Sequence, residues 1–482
     1  MMQLLEALKL EAPARVALVG AGGKTTALFQ LARQLPGPVI VTTTTHLAVK
    51  EAELADRHFV VQSPEQVERI ASEWMDVGQA LHPNRVFSLS GQTKSLPYIS
   101  NKLLLLSGGE VANERLAGLD EPTLERVKAL AETMGASLLI EADGSRRLPV
   151  KAPAAHEPVI PAWVDLVMVV VGLSGLGQPL DDNRVHRPER VSAITGLMIG
   201  DSLTPQALVS LLLSPQGGLK GIPPQARRIA LLNQADSARQ QAQAKSMAEA
   251  LLPGYERVII ASLGLSPEES RLDVIAPYTG PVYAVYACVA GIILAAGGST
   301  RLGQPKQLLD WFGRPFVRQA AETALKAGLS PVVVVTGAVQ AEIEQTLEGL
   351  PVKFVHNLQW ASGMSSSLKA GLGAVPVGSG GAIFMLADQP QVPVSLLMKL
   401  VETQQGSPVK IVAPQVDGSR ANPVLFDCST FVDLMALQGD VGGRALVSKY
   451  PVAWVEWADA RLLMDVDTAE DYANLIAAME ES

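Results

Sequence analysis

Two stretches of the 482-residue chain combine glycines and cations at spacings suited to holding phosphate. In LAAGGSTRLGQPKQLL, the residues Leu294, Ala295, Ala296, Gly297 and Gly298 close an apolar run, and Arg301 and Lys306 follow. Glycine lets backbone N–H groups approach a triphosphate, while two cations neutralise its β- and γ-phosphates and a departing pyrophosphate. The other stretch sets Gly20, Gly22 and Gly23 before Lys24 and Thr25, again after an apolar run. Gly-Gly-Lys-Thr opening a helix offers N–H donors, a phosphate-seeking ammonium and a hydroxyl for Mg²⁺. A strict GxxxxGK[ST] loop would need glycine where Leu18 stands, so that match is partial. For either loop alone, an ordinary glycine turn is the competing reading.

Phosphoryl and nucleotidyl transfer also need divalent metal to screen charge, hence carboxylates at the same edge of the fold. Asp388 ends the run AIFMLAD and Asp465 ends LLM, with Asp467 as a reserve ligand. The alternative is helix capping: by Asp388 after Gln389-Pro390, and by Asp465 or Asp467 before a helix from Thr468. In the first half, LLIEADGSR ends in Glu141 and Asp143, as the carboxylate strand of a nucleotide site would. LLNQAD places Asn233 and Asp236 as in the N-K-x-D loop that reads guanine, but with Gln234 for Lys. GTP or ATP is the expected ligand there. His156, Glu157 and His186 accompany Arg146, Arg147, Lys151, Arg187 and Arg190, either as a basic anion pocket or as structural groups.

These residues terminate short aliphatic runs: VALVG, VIVTTTT, LLIEADG, LVMVVVG and IALLNQAD, then GIILAAGG, VVVVTG, AIFMLADQP and LLMDVDT. Such runs, alternating with amphipathic segments like TALFQLARQL and VRQAAETALKAG, imply parallel strands covered by helices on both faces. The expected fold class is α/β, two doubly wound, mainly parallel-sheet domains. The first is expected to be P-loop-like and the second Rossmann-like. In such sheets ligands bind at the carboxyl ends of strands. The best punctuation between them, SPEESRLDVIAPYTGP, puts the domains at 1–285 and 286–482.

Composition narrows the class. Hydrophobic residues at 48% against 18% charged exclude disorder as the main state. A net charge of −9 disfavours nucleic acid and acidic membranes as partners. The two cysteines, Cys288 and Cys428, are too few for a disulfide scaffold or zinc cluster and read as buried small hydrophobes. The apolar stretch 282–298 is short of a membrane span and reads as one buried strand entering a turn. The first residues show no secretory pattern, which leads to a cytoplasmic expectation.

The second half resembles the MobA/MocA-like nucleotidyltransferases. Its loop LAAGGSTRLGQPKQLL is followed in order by TGA (Thr336, Gly337), NLQWASGMSSSL, LADQP, NPVLF, GDVGGR and MDVDTAEDY. The resemblance implies a metal-binding Asp388 and an acceptor site near Asn422 and Arg444. Ser365 and Ser366 could donate hydrogen bonds to pterin or phosphate, or simply cap a helix. Ala296 favours the MocA branch. For that branch the reaction is CTP plus Mo-molybdopterin giving the cytosine dinucleotide cofactor and pyrophosphate, with Mg²⁺. GAGGKTT, VTTTTHL, EADGSRRLPVKAPAAHEPVIP and VHRPER in the first half resemble the YqeC-like family, described as accessory to selenium-dependent hydroxylases. Together they imply a maturation factor whose client is a molybdenum hydroxylase of the xanthine dehydrogenase type. Two alternatives remain open: transfer to a sugar phosphate or from GTP, and a non-catalytic cofactor chaperone.

Overall fold

The computed structural model describes residues 2–70, 102–264, 281–298, 302–405 and 409–480. Two compact units emerge, Met1–Val285 and Tyr286–Ser482. Arg301 and most of the punctuating segment before residue 282 lie outside the described residues.

The first unit is built on β1 (Arg15–Gly20), β2 (Val39–Thr43), β3 (Arg57–Val60), β4 (Leu103–Ser107), β5 (Ser137–Glu141), β6 (Leu166–Gly172), β7 (Arg227–Asn233), β8 (Arg257–Ala261) and β9 (Val282–Ala287). They lie in the order β9-β8-β7-β6-β1-β5-β2-β4-β3. From β8 across to β3 every pairing is parallel. Continuous Val/Leu/Ile runs suit this position because both strand faces are covered, and β2, β4, β5 and β6 are buried at every residue. Helix α1 (Lys24–Gln34) buries Ala27, Leu28 and Leu31 against Val16 and Leu18 of β1. The chain builds outward from β1 on one side and crosses to the other at β6, so the carboxyl ends of β1, β5 and β6 meet at a topological switch point.

The second unit carries β10 (Val289–Leu294), β11 (Val332–Thr336), β12 (Val352–His356), β13 (Gly381–Leu386), β14 (Ile411–Val416), β15 (Ser419–Arg420), β16 (Val424–Asp427) and β17 (Val452–Glu456). Their order is β12-β11-β10-β13-β16-β14-β15, with β17 added on β14. Strands β10 to β13 pair in parallel, whereas β16 runs antiparallel to β13 and β14. Alternate residues sort into two cores, as period-2 side-chain geometry requires. Ile293, Val334 and Met385 pack with helices α2 (Phe316–Lys326) and α4 (Val394–Gln405). Ile292, Val335 and Phe384 face helix α3 (Met364–Leu372). Both units therefore have the expected α/β architecture with helices on both faces.

Three local expectations are corrected. The stretch 282–298 is two strands, β9 and β10, interrupted at Cys288. LLM before Asp465 is a 3₁₀ turn, Ala460–Leu463, because Asp459 accepts a hydrogen bond from the Arg461 N–H at 3.0 Å and caps it; the neighbouring strand is β17. Both cysteines are half-buried, beside the edge of β13, rather than fully buried. Among the described residues no helix is long and apolar enough to cross a membrane.

Candidate functional site

In the second unit, the loop after β10 opens onto a cleft of about 570 Å³. Leu294, Ala296, Gly297, Lys306 and Asp388 all line it. Ala295 is buried beneath them, and its carbonyl and that of Gly297 accept from the buried Gln307 side-chain amide at 3.1 and 2.7 Å. This glutamine, inside the KQLL run, holds the shape of the glycine loop. Gly337 lies under the same loop, where a Cβ would fall 2.5 Å from the Ala296 carbonyl oxygen and 2.9 Å from Trp360. Only glycine lets the two loops approach so closely. Thr336 is fully buried, its carbonyl accepting from Asn357 N–H, and it supports the floor from below. Gly298 packs against the Trp360 ring, whose exposed part walls the cleft.

The Lys306 ammonium sits 2.5 Å from Asp467 and 3.9 Å from Asp388. Burial lifts the Asp388 carboxyl above its ordinary range, against the pull of Lys306, and the charges of Asp465 and Asp467 add to the rise. Asp465 is brought in by Gln389, whose side-chain amide donates to it at 2.8 Å, while Gln391 donates to the Met464 carbonyl at 2.8 Å. Tyr472 of helix α5 (Ala469–Glu480) anchors this segment from behind, donating to the Asp310 carbonyl at 2.8 Å.

The capping alternatives are not what the aspartates do. Helix α4 starts at Val394, beyond the turn that holds Asp388. Helix α5 is capped by Thr468 and Asp471, which exchange hydrogen bonds at 2.7 and 3.1 Å. Asp388 and Asp467 both lie within ion-pair reach of Lys306, and Asp465 stands close enough to raise the Asp388 carboxyl further. The side-chain amide oxygen of Gln389, beside them, is buried without a hydrogen-bond partner. Hard oxygen donors of this kind suit Mg²⁺, which binds through one or two carboxylates and completes its shell with water and phosphate. Among the described residues no group of three His, Cys, Asp or Glu is set for a metal held by protein alone.

A second cleft, about 270 Å³, shares Leu294, Met364, Leu386 and Asp440 with the first. Asn422, Arg444 and Arg420 line it, over Leu368, Phe384, Val424 and Phe426. The wall between the clefts is a pair of loops pinned together. The Ser365 hydroxyl donates to the Gly439 carbonyl at 2.7 Å, and the Met364 N–H donates to Asp440 at 3.2 Å. The Ser366 hydroxyl has the Gly363 and Gln359 carbonyls within reach of its one proton and accepts from Asn357. In this structure both serine hydroxyls join these loops together.

In the first unit the switch point is tightly knit. The Lys24 ammonium is buried, donating to the Gly20 carbonyl at 2.9 Å, with Asp143 at 3.4 Å and Glu141 at 3.5 Å. Burial opposes its charge, yet Asp143 and Glu141 outweigh that and raise its pKa; burial raises that of Glu141. Thr25 donates to Glu141 at 2.9 Å, and the Gly20 N–H donates to Asp143 at 3.1 Å. Gly22 has φ +83°, and a Cβ there would lie 2.3 Å from the backbone of Gly172. Gly23 is fitted against Asn233, whose amide donates to the Gly22 carbonyl at 2.8 Å and accepts from Leu263 N–H. Asp236 is hydrogen-bonded to Ser262. Of the basic run, Lys151 bridges Asp143 at 2.7 Å and Glu157 at 2.9 Å, and Arg187 grips Glu157 with two bonds. Those contacts draw Glu157 down to about 2 despite its burial. Burial, then the charges of Arg187 and Lys151, push His186 down to about 4.

Comparison with known proteins matches each unit separately. The YqeC protein family model covers residues 16–189 and the MobA-like NTP transferase domain covers residues 291–454. The first unit is similar to YqeC of Escherichia coli, 32% identical over 46% of this chain and 76% of that protein. The second is similar to the nicotine blue oxidoreductase of Paenarthrobacter nicotinovorans, 32% identical over 39% of this chain and 97% of that protein. It is also similar to the molybdenum cofactor cytidylyltransferase of E. coli, 25% identical over 38% of this chain and 92% of that protein. Fold, cleft and likeness define a nucleotidyltransferase joined to an accessory unit. The chain belongs to the YqeC family in its first unit and to the MobA-like NTP transferases in its second.

Arg420, Gln307, Gln389 and Trp360 were not singled out by sequence reasoning. All four lie in or beside segments that did stand out: NPVLF, KQLL, LADQP and NLQW. The missing signal was proximity, since each gains its place in a cleft only once the chain has folded.

Proposed function

We propose that the second unit is a molybdenum cofactor cytidylyltransferase serving a molybdenum hydroxylase, and that the YqeC unit is its accessory in maturation. The observation that carries this reading is the pair of contiguous clefts, one with the glycine loop, Lys306 and Asp388, the other with arginines. CTP belongs in the first cleft and Mo-molybdopterin in the second. An oxygen of the acceptor phosphate bonds to the α-phosphorus of CTP as the bond from that phosphorus to the α,β-bridging oxygen breaks, and pyrophosphate leaves. A phosphate monoester is already ionised near neutral pH, so no general base is required and positioning does the work. The loop amides and Lys306, with Arg301, meet the triphosphate. Asp388 and Asp465, with Asp467 in reserve, would hold Mg²⁺, which supplies charge neutralisation at the α-phosphate and leaving group.

In the first unit, Gly20, Gly22, Gly23, Lys24 and Thr25 with Asp143 form the proposed binding loop for GTP or ATP, and Asn233 and Asp236 the base side; binding there requires phosphate to draw Lys24 from Glu141 and Asp143.

The test is pyrophosphate release by the full chain with Mg²⁺ and Mo-molybdopterin, offering CTP, GTP and ATP separately. Release with CTP alone is expected. Release only with GTP, or only with a sugar phosphate acceptor, replaces the substrate assignment; binding without release leaves a chaperone. The likeness to nicotine blue oxidoreductase favours a second reading, redox chemistry by the same unit. Consumption of NADH or NADPH with an organic acceptor, and no pyrophosphate release, would establish it.

A further inference from the structure

Lys306 opens the 3₁₀ turn Lys306–Leu308, and its neighbour Gln307 is tied to the glycine loop through the Ala295 and Gly297 carbonyls. The turn is thereby fixed to the loop, while the ammonium, at the end of a flexible four-carbon stem, reaches the C-terminal segment. There it pairs with Asp467 at 2.5 Å and lies 3.9 Å from Asp388. The Lys306 side chain is 14% exposed, whereas that of Asp467 is 56% exposed. The Asp467 main chain is held independently of its carboxylate: its N–H donates to the Asp471 side chain at 3.1 Å, beside the Thr468 N–H at 2.7 Å. The Asp467 carboxylate can therefore be altered without loosening the start of helix α5.

This pairing sets two tasks against each other. The ammonium is needed at the phosphates, and the carboxylates it touches are needed by the divalent cation that accompanies them. A divalent cation at Asp388 repels an ammonium 3.9 Å from the same carboxylate. A triphosphate relieves that repulsion, because its oxygens accept from the ammonium and bind the metal at once. Metal and nucleotide entering together are thus favoured over either entering alone. Lysine, a compact charge on a rotatable stem, suits such a change of partner.

We propose that Asp467 is a positioning residue that holds the Lys306 ammonium beside the metal-binding carboxylates and yields it to the triphosphate, so that metal and nucleotide enter the cleft cooperatively. This gives the reserve carboxylate a task of its own, distinct from ligation. The inference rests on the nucleotide reading of this cleft and concerns how the site is filled, not what it transfers.

The test is a double-mutant cycle, read by calorimetric titration of CTP into the full chain in EDTA and in Mg²⁺. In EDTA, Asp467→Asn is expected to bind CTP about tenfold more tightly than the unaltered protein, because the ammonium no longer has to leave a carboxylate. In Mg²⁺ that advantage should shrink to about twofold. The gain in EDTA should vanish when Lys306→Met is added, since the released lysine carries it. A gain that persists without the lysine reports only the lost negative charge, and that result, or no gain at all, overturns the exchange. Mn²⁺ titrated without nucleotide reads the other side: Lys306→Met should bind it severalfold more tightly, and unchanged affinity contradicts the proposal. No CTP binding by the unaltered chain in Mg²⁺ overturns the nucleotide reading and this inference with it. A lysine-dependent gain together with no transfer to a phosphate acceptor upholds the exchange and overturns the transfer reading alone.

Discussion

The chain contains two glycine loops of similar wording, GAGGKTT and AAGGSTR, each after a buried parallel strand, and they end in opposite states. In the first unit the lysine is sunk among its own carboxylates, and the loop is sewn to β6 and β7 by the Gly22 and Asn233 contacts. In the second, the lysine stands in an open cleft beside carboxylates that outnumber it. The loop sequence supplies the potential to bind phosphate. Its surroundings decide readiness: Lys24 is enclosed between two buried acids on β5 and its loop, whereas Lys306 lines a cleft and pairs with Asp467 of a C-terminal segment positioned by Gln389 and Tyr472.

The largest effect that would break this contrast lies in the first unit. Lys24→Ala should cost roughly 3–5 kcal/mol of stability, because it leaves Glu141 buried without its cation, while Asp143 keeps Lys151. Denaturant unfolding measures this, and adding Glu141→Gln should recover part of the loss. A near-neutral Lys24→Ala would mean that the lysine is held loosely and ready for phosphate. Next, Lys306→Ala should lower pyrophosphate release about 100-fold by removing one charge-assisted contact to the leaving group. Lys24→Ala at a temperature where it remains folded should leave that rate within about twofold.

The first unit should also be the acid-sensitive one. His186 takes up a proton at about 6.5 when unfolded but only at about 4 when folded, so stability falls as pH drops from 6.5 to 4. Glu157, drawn down to about 2, contributes stability above pH 4.5 that is lost as pH falls from there toward 2. Both act in the same direction, and together about 1–2 kcal/mol is expected after allowing for solvent screening. Melting of the His186→Gln variant at pH 7.5 and 5 should show a smaller difference than the unaltered chain. The smallest expected effect is Trp360→Ala, which removes an aromatic wall of the nucleotide cleft and should weaken nucleotide binding severalfold, alike for CTP, GTP and ATP.

Much of this was legible in the sequence. Continuous aliphatic runs gave β1, β5, β6, β10, β11 and β13, because strands covered on both faces need no polar alternation. The antiparallel insertion of β16 was not legible, since a run of apolar residues carries no direction. The glycine loop, Lys306 and Asp388 converge on one cleft as their order along the chain suggested. Asp465 reaches it by a different route: it follows the 3₁₀ turn Ala460–Leu463, and its place is fixed by Gln389 and Gln391, whose contacts span more than seventy residues. Lys24 illustrates the limit most plainly. A Gly-Gly-Lys-Thr string looks the same whether its ammonium faces solvent or its own acids, and only the register of β5 beside β1 decides that.

The most direct measurement is single-turnover transfer from α-labelled CTP to Mo-molybdopterin by the full chain and by Asp388→Asn. The expected result is a labelled dinucleotide from the unaltered protein and a loss on the order of 10³-fold in the variant, with folding unchanged. Equal transfer by Asp388→Asn would contradict the assignment of chemistry to this cleft.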